Sequence, residues 1–360
     1  MQLGKYDLLI WPVILVGLAL GGYVAVMEMF VGHFLATNQV LVWTLPLITY
    51  IFLALMSTGI SIVIAYGLIT DHAVIKARLR TLLIMAIGIL LGGFAALATE
   101  LGSLLNMVWV FLSPNPASPI WWMAMLYTVE LVLLAVKLFN DVKGRHTKAD
   151  KGLAWATMVV AALATITIGA VFGTVMARPD FAGAFLSVVT LTSAIVAGAA
   201  VMVLVLRTSP LTELMTKLLR FSALAFTALI VMRLAYETRE TTIGLVGWAD
   251  PLMLIPFVAI VAAITIPAAT RPLALLGAAG VFWVIYSFIL AGQLRPVGPQ
   301  VNWYGDLVAY TPNMWEAGVL VLGISLAAFI VKLGWMVLGT DPSPAVERAA
   351  GAKLAAAAAE

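Results

Sequence analysis

Long apolar segments, separated by short polar ones, follow one another along almost the whole chain. Ten of them approach or exceed the roughly 20 residues that a helix needs to cross the hydrocarbon core of a membrane. They fall at residues 8–34, 41–69, 79–101, 119–139, 153–176, 181–206, 212–236, 251–269, 272–292 and 312–338. The pattern therefore predicts an all-α integral membrane protein with about ten transmembrane helices.

The order of these segments favours an internal repeat. The second and sixth spans enter from the same side, and both carry small and hydroxyl residues at mid-depth. We therefore predict two four-helix bundles, with one flanking helix at each end of the chain. The predicted regions are an N-terminal helix (1–36), a first bundle (37–177), a second bundle (178–292), a loop with the last helix (293–340) and a low-complexity cytoplasmic tail (341–360).

The charges of the connecting segments give the predicted helices an orientation. With a cytoplasmic N-terminus, sixteen of the 20 Lys and Arg residues fall on the cytoplasmic side. This is the asymmetry that the positive-inside rule describes, and it predicts a prokaryotic inner-membrane protein with both termini in the cytoplasm. The net charge of +3 is then a topology signal, so we expect membrane lipid and no nucleic acid as a partner.

Composition restricts the redox chemistry that this chain can carry by itself. It has no cysteine and three histidines, His33, His72 and His146, which are predicted to lie at two different membrane faces. Thiolate-held iron–sulfur clusters need cysteine, and a haem held by two histidines needs them at one depth. We expect no haem, no iron–sulfur cluster and no metal site within this chain.

One glutamate interrupts the fourth apolar segment near its middle. Glu130 lies within "MLYTVELVLLAVK" (125–137). A carboxyl group at that depth must be protonated, paired or exposed to a polar cavity, which favours a role as a proton carrier. Tyr127 shares its helix face. The hydroxyl residues Ser57, Thr58 and Ser61 of the second span are expected opposite Glu130.

A second group of polar residues lies in the half of the membrane predicted to face outward. Asn38 and Trp43 open the second span, and Glu100 ends the third. Together with Tyr127 they are the expected lining of a pocket among spans 2–5, under the loop 101–118. Further candidates, each equally compatible with a structural role, are Glu28, His33, Arg178 and Asp180.

Five stretches of the sequence carry a family resemblance. They are "TNQVLVWTLPLITYIFLALMSTG" (37–59), "ATELG" (98–102), "SPNPASPIWWMAMLYTVELVLL" (113–134), "VFGTVMARPDFAGAFLSVVTLTSAIVAGAA" (171–200) and "YTPNMWEAGVLVLG" (310–323). In this order they resemble the NrfD/PsrC family of polysulfide reductase membrane subunits. The resemblance is to a ten-helix branch that includes membrane subunits of hydrogenases, tetrathionate reductases and Dsr complexes. Where that family often has an aspartate followed by Leu-Gly-Arg-Pro, this chain has Glu100 followed by Leu-Gly-Ser-Leu.

The resemblance implies a membrane subunit of a respiratory redox complex. Such a subunit binds quinone or menaquinone non-covalently near the outer face and exchanges electrons with a ferredoxin-like iron–sulfur subunit. A catalytic or multihaem cytochrome subunit completes the complex. We expect the quinone to lie among Asn38, Trp43, Glu100 and Tyr127, with Glu130 and Tyr127 moving protons.

Two other functions fit the same sequence. A secondary transporter also places charged groups near the membrane midplane. A purely structural membrane anchor of a redox complex would carry the same apolar spans with polar residues that serve packing alone.

Overall fold

The computed structural model describes residues 5–101, 104–145, 149–178, 181, 183–206, 209–237, 270–294, 296 and 308–340. Every regular element in this part of the chain is a helix. In chain order the helices are α1 Lys5–Phe30, α2 Leu45–Ile69, α3 Ala73–Lys76, α4 Leu79–Glu100, α5 Leu104–Leu112, α6 Pro119–Val142, α7 Ala149–Gly173, α8 Phe185–Val205, α9 Pro210–Glu237, α10 Thr270–Leu294 and α11 Met314–Leu338. Among these described helices, nine, all except α3 and α5, are long and apolar enough to cross a membrane. The protein is therefore an all-α, multi-pass membrane protein.

The nine long helices correspond to nine of the ten predicted spans. The remaining predicted span, 251–269, lies outside the described residues. The helices before and after it, α9 and α10, run in the same direction, since Arg233 and Phe288, each near the C-terminal end of its helix, are in contact. The short apolar run in loop 101–118 forms α5, a helix of nine residues. The division into two four-helix bundles stays a prediction.

Helix α2 lies at the centre of the described helices. It packs against α4, α7, α8, α10 and α11, and nearly all of its residues are buried. A helix that is apolar on all sides is suited to such a position. It crosses α8 at Gly59 and Gly198, where a Cβ on either glycine would lie less than 3 Å from the backbone of the other helix. Glycine at both positions is what lets the two helices approach so closely.

Four of the helices form a closed ring. Each of α2, α4, α6 and α7 packs on the next, and α7 packs back on α2. Helix α11 packs on α4 and α2, and α1 packs on α11, so the first and last described helices lie beside this ring. Large apolar side chains face away from the helices, among them Leu20, Phe139, Trp155 and Phe221, as contact with lipid tails requires.

One end of the helix bundle, which we call the basic end, is held by ion pairs. Arg80 Nε lies 2.8 Å from the Asp141 carboxylate and joins the start of α4 to the end of α6. Asp71, just after α2, pairs with Lys151 of α7 and with Lys76 of α3. These two cations hold the pKa of Asp71 below its ordinary value.

The opposite end, which we call the glutamate end, contains Glu28, Glu100 and Glu316. It includes the start of α2, the end of α4, the end of α10 and the start of α11. Hydrogen bonds between these helix ends, described below, hold it together. The charge pattern predicts that the glutamate end faces outward and the basic end faces the cytoplasm.

Candidate functional site

One face of α6 is buried among the helices and carries polar residues. Its buried residues are Met123, Tyr127, Glu130, Leu134 and Lys137. They are spaced by four and three residues and therefore share one side of the helix. Glu130 lies roughly 17 Å along the helix axis from its start. The sequence prediction of a carboxyl group at mid-depth agrees with this position.

The carboxyl group of Glu130 is fully buried, with 0% of its surface exposed, but only half of it is hydrogen-bonded. The Thr58 hydroxyl of α2 donates to Glu130 Oε2 at 3.0 Å. Glu130 Oε1 is buried and has no hydrogen-bond partner among the described residues. Because Oε1 lacks a fixed donor, the described residues do not lock this group into its charged form.

The other two predicted hydroxyl residues of α2 lie next to Thr58 but bond to backbone. Ser57 donates to the Ala86 carbonyl of α4 at 2.8 Å, and Ser61 donates to the Ser57 carbonyl at 3.2 Å. Of the three hydroxyls that were expected opposite Glu130, Thr58 donates to it at 3.0 Å, and the Ser61 hydroxyl also lies close enough to interact with the carboxyl group. Ser57 instead ties α2 to α4.

Tyr127 is buried one turn from Glu130, on the side of the glutamate end. Its ring packs edge-on against Tyr50 of α2, with 6.1 Å between the ring centroids. The Tyr127 hydroxyl is buried and has no hydrogen-bond partner among the described residues. Two unsatisfied oxygens, Tyr127 Oη and Glu130 Oε1, therefore belong to neighbouring turns of one buried helix face.

At the glutamate end, the carboxyl group of Glu100 lies against the start of α2. The Thr44 backbone N–H donates to Glu100 Oε1 at 3.4 Å. The N–H groups at the start of α2 and the positive end of its helix dipole face this carboxyl group. Glu100 Oε2 and the Thr44 hydroxyl are both buried without a hydrogen-bond partner among the described residues. The start of α2 and the end of α4 thus each carry one buried polar atom without a hydrogen-bond partner among the described residues.

Trp43 is held in place by Gln293, a residue that the sequence analysis did not single out. Gln293 accepts hydrogen bonds from the Val42 and Trp43 N–H groups, both at 2.9 Å. Its side-chain amide also donates to the Trp43 carbonyl at 2.8 Å. The Trp43 ring packs edge-on against Phe172 of α7, with 5.1 Å between the centroids. Gln293 thus fixes the turn that presents Trp43.

Two other candidates of the glutamate end bond to backbone groups. Asn38 Oδ1 accepts from the N–H groups of Val40 and Leu41 at 2.8 and 2.9 Å, which closes a turn before α2. Arg178 donates to the Gly292 carbonyl at 3.0 Å and to the Val40 carbonyl at 3.4 Å. Both side chains therefore shape the loop that leads to Trp43.

Glu28 and His33 form a pair at the end of α1. The buried Glu28 carboxylate lies 2.6 Å from His33 Nδ1 and accepts from the Phe34 N–H at 2.7 Å. His33 Nε2 lies 2.6 Å from the Thr37 hydroxyl. Asp180, the last of the predicted site residues, lies outside the described residues.

The sequence analysis missed a fully buried glutamate at the start of α11. Glu316 accepts hydrogen bonds from the Ala36 N–H at 3.3 Å, the Tyr310 hydroxyl at 2.9 Å and the Asn313 N–H at 3.0 Å. Burial and the Glu316 carboxylate raise the pKa of Tyr310, so its hydroxyl keeps the proton that it donates. The Asn313–Glu316 pair forms a capping box, and the spacing Asn-x-x-Glu was the signal for it.

Lys137 is the other residue whose position the sequence analysis did not anticipate. It was counted only as a cytoplasmic charge near the end of a span, yet 5% of it is exposed. Its Nζ is buried and makes no hydrogen bond within the described residues. Its spacing of seven residues from Glu130 was the available signal, because that spacing returns to the same helix face.

The described candidates thus fall into two groups at different depths. Glu100 and Trp43 lie at the glutamate end, beside the start of α2. Glu130, Thr58 and Tyr127 lie deeper, between α6 and α2, with the buried Lys137 beyond them toward the basic end. Within the described residues, no group of three or more His, Cys, Asp or Glu side chains is arranged to hold a metal ion.

Comparison with known proteins identifies one family. The family model described as polysulphide reductase, NrfD, matches residues 34–298 of the chain. This range contains the ring of α2, α4, α6 and α7 and both groups of candidate residues. No curated protein matches the chain.

Proposed function

The chain belongs to the polysulphide reductase NrfD family, and on that premise we propose that it is the quinone-binding subunit of a respiratory redox complex. Members of the family are membrane subunits of quinone-linked oxidoreductase complexes. In the proposal, the chain exchanges electrons between quinone or menaquinone in the membrane and a ferredoxin-like iron–sulfur subunit. A catalytic or multihaem cytochrome subunit belongs to the same complex.

The unsatisfied polar atoms of the glutamate end fit the head of a quinone. A bound quinone supplies the redox chemistry, since it takes up two electrons and two protons and returns them when oxidised. Its carbonyl oxygens need hydrogen-bond donors, and the buried Thr44 hydroxyl has a donor to offer. Glu100 Oε2 is a neighbouring group that holds or releases a proton. The ring of Trp43 adds a flat apolar surface.

In the proposal, electrons reach this site from another protein, since the chain has no cysteine to hold an iron–sulfur cluster of its own. We propose that the partner docks on the glutamate end. Helix α5 lies beside the end of α4 and the start of α6 there, and its Trp109, Phe111 and Leu112 are exposed. Aromatic residues are enriched in protein interfaces. Crosslinks from the partner to the α5 region support this arrangement, whereas crosslinks to the basic end contradict it.

We assign the deeper group to proton transfer. Glu130 Oε1 takes up or releases a proton, while Thr58 holds Oε2 in place. Tyr127, one turn nearer to the glutamate end, is the next hydroxyl on the same helix face. Positioned acids and bases of this kind contribute about 10²–10⁴-fold to a rate.

The observation that supports the proposal most strongly is the half-bonded carboxyl group of Glu130. An ionisable group inside a membrane is costly and marks a functional pathway by default. A structural role predicts that both carboxyl oxygens have fixed donors, because an unsatisfied buried polar atom is destabilising by about 1–3 kcal/mol. A membrane anchor alone gives no reason to retain it.

Purification of the tagged chain from its native membrane tests the proposal. We expect an iron–sulfur protein and extractable quinone to copurify with it in near-stoichiometric amounts. Recovery of the partner protein without quinone indicates a structural anchor and contradicts the proposal. Recovery of neither indicates a function such as secondary transport and contradicts it as well.

A matched pair of substitutions tests the quinone site itself. Thr44→Val removes a hydroxyl without a partner among the described residues, and we expect quinone to bind about tenfold more weakly, as the loss of one hydrogen bond predicts. Thr49→Val is the control, because the Thr49 hydroxyl already donates to the Leu45 carbonyl within α2. Equal quinone affinity in both variants contradicts the assignment of Thr44.

A further inference from the structure

We propose that Lys137 exchanges protons between the basic end of the membrane and Glu130. This inference rests on the proposed quinone function, since it supplies the half of the proton route that lies beyond Glu130. It is carried by a buried ammonium group that makes no hydrogen bond within the described residues. A lysine that served structure alone would need a partner there, because an unpaired buried charge is strongly destabilising.

The geometry of α6 directs Lys137 toward Glu130. The two residues lie two turns apart on one face, about 10.5 Å along the axis. Side chains of an α-helix lean toward its N-terminus, which from Lys137 is the direction of Glu130. The lysine side chain has a flexible four-carbon stem. The fully buried Leu134 lies between them on the same face. It separates the two polar groups when the lysine side chain points toward the basic end.

The charged groups around this pair are few. The Lys137 ammonium is attracted by Glu130 on its own helix and by Asp150 at the start of α7. Helix α4 contributes Arg80, which is paired with Asp141.

Helix α2 presents groups without a formal charge to Glu130. The Thr58 hydroxyl donates to Glu130 Oε2. The Tyr50 hydroxyl interacts electrostatically with the Glu130 carboxylate. Among the described residues, Lys137 is therefore the cation that faces Glu130 from the basic side.

The step moves one proton and no electrons. The ammonium of Lys137 gives a proton to the carboxylate of Glu130, so that an N–H bond breaks, an O–H bond forms and both side chains become neutral. Lys137 then takes a proton from water at the basic end. Two such transfers balance the two protons of one quinone reduced at the glutamate end, and quinol oxidation runs them in reverse.

Three variants of the complete complex separate proton delivery from simple electrostatics. Lys137→Met removes the charge and the proton. Lys137→Arg keeps the charge but does not deliver a proton, because arginine stays protonated in proteins. Lys143→Met is the control, since Lys143 is an exposed lysine that follows the same helix.

The first readout is the labelling of Glu130 by a membrane-soluble carbodiimide, which attacks protonated carboxyl groups, as a function of pH. In Lys137→Met we expect labelling to persist to higher pH, because the carboxylate loses a neighbouring cation. In Lys137→Arg and Lys143→Met we expect the profile of the unmodified protein. An unchanged profile in Lys137→Met contradicts the inference.

The second readout is quinone turnover with proton uptake in vesicles. We expect turnover to fall about 100-fold in both Lys137→Met and Lys137→Arg, as the loss of a proton-transfer group predicts, and to be unchanged in Lys143→Met. Full turnover in either Lys137 variant overturns the inference even if labelling shifts. If the unmodified complex turns over no quinone, the proposed function fails, and the labelling profile alone decides whether Lys137 acts on Glu130.

Discussion

Two fully buried glutamates of this protein stand in opposite hydrogen-bonding environments. Glu316, at the glutamate end, accepts three hydrogen bonds that occupy both of its oxygens. Glu130, between α6 and α2, accepts one hydrogen bond, and its Oε1 has no partner among the described residues. Both side chains are 0% exposed, so burial alone does not distinguish them.

The difference separates a structural carboxylate from one that is able to change its state. Three fixed donors make Glu316 a rigid link between α11 and the loop before α2. One hydroxyl donor leaves Glu130 free to gain or lose a proton at Oε1 without breaking the bond to Thr58. The number of fixed donors is therefore the feature on which the proposed role of Glu130 rests.

The largest effect on stability is expected at Glu316. Glu316→Leu leaves the donors of Ala36, Tyr310 and Asn313 unpaired, and each unpaired buried donor costs about 1–3 kcal/mol. We expect a loss of roughly 3 kcal/mol or more, measured as a lower thermal unfolding midpoint in detergent. Glu316→Gln keeps an acceptor at the same place and should lose less. A stable Glu316→Leu protein would show that these bonds do not hold the glutamate end together.

At Glu130 the expectation is reversed, with a large effect on activity and a small one on stability. Glu130→Gln keeps the shape and the bond to Thr58 but does not cycle a proton, so we expect quinone turnover to fall about 100-fold. Glu130→Leu should lose the same activity and change stability little, because removal of the costly carboxyl group offsets the loss of the acceptor for the Thr58 hydroxyl. Quinone turnover and the thermal unfolding midpoint, measured for both variants, test this expectation. Full turnover with full proton movement in both variants would make Glu130 incidental.

Substitutions of Gln293 test whether the glutamate end also positions the proposed quinone site. Gln293→Leu leaves the N–H groups of Val42 and Trp43 without their acceptor, and we expect a loss of about 2 kcal/mol of stability together with weaker quinone binding. Gln293→Glu retains the acceptor oxygen but loses the amide that donates to the Trp43 carbonyl, so it should recover only part of both. If Gln293→Leu changes one of the two quantities, stability or quinone affinity, without the other, then Gln293 does not position the proposed quinone site.

The smallest effect is expected at the exposed Asp71 of the basic end. Lys151 and Lys76 lower the pKa of Asp71 in the folded protein. The stability that Asp71 contributes is therefore fully present above its pKa in the unfolded chain, about 3.9. This contribution is lost as the pH falls through the lower pKa of the folded protein. Asp71→Asn should therefore lower the thermal midpoint slightly at pH 7 and have no effect in strong acid. A larger loss at low pH than at pH 7 would contradict this sign.

The helices and the depth of Glu130 were predictable because both depend on local sequence. Apolar length sets the spans, and a single carboxyl group within one of them stands out. The partners of Glu130 were predictable only as a set of hydroxyls, because the rotation of α2 determines that Thr58 and Ser61, rather than Ser57, lie next to it.

The residues that the sequence analysis missed depend on tertiary contacts. Gln293 bonds to Trp43, which lies 250 residues away in the chain, and no local pattern indicates such a pair. Lys137 was assigned to the cytoplasm by its nearness to a helix end, although its spacing from Glu130 places it on the buried face. Glu316 was the exception, since its capping-box spacing was present in the sequence.

Redox-induced infrared difference spectroscopy of the reconstituted complex tests the contrast between the two glutamates most directly. A carboxyl group that changes protonation when the quinone is reduced gives a difference band in the carbonyl-stretch region of protonated carboxyls. We predict such a band in the unmodified complex and in Glu316→Gln, and its loss in Glu130→Gln. A band that persists in Glu130→Gln and disappears in Glu316→Gln would contradict the account.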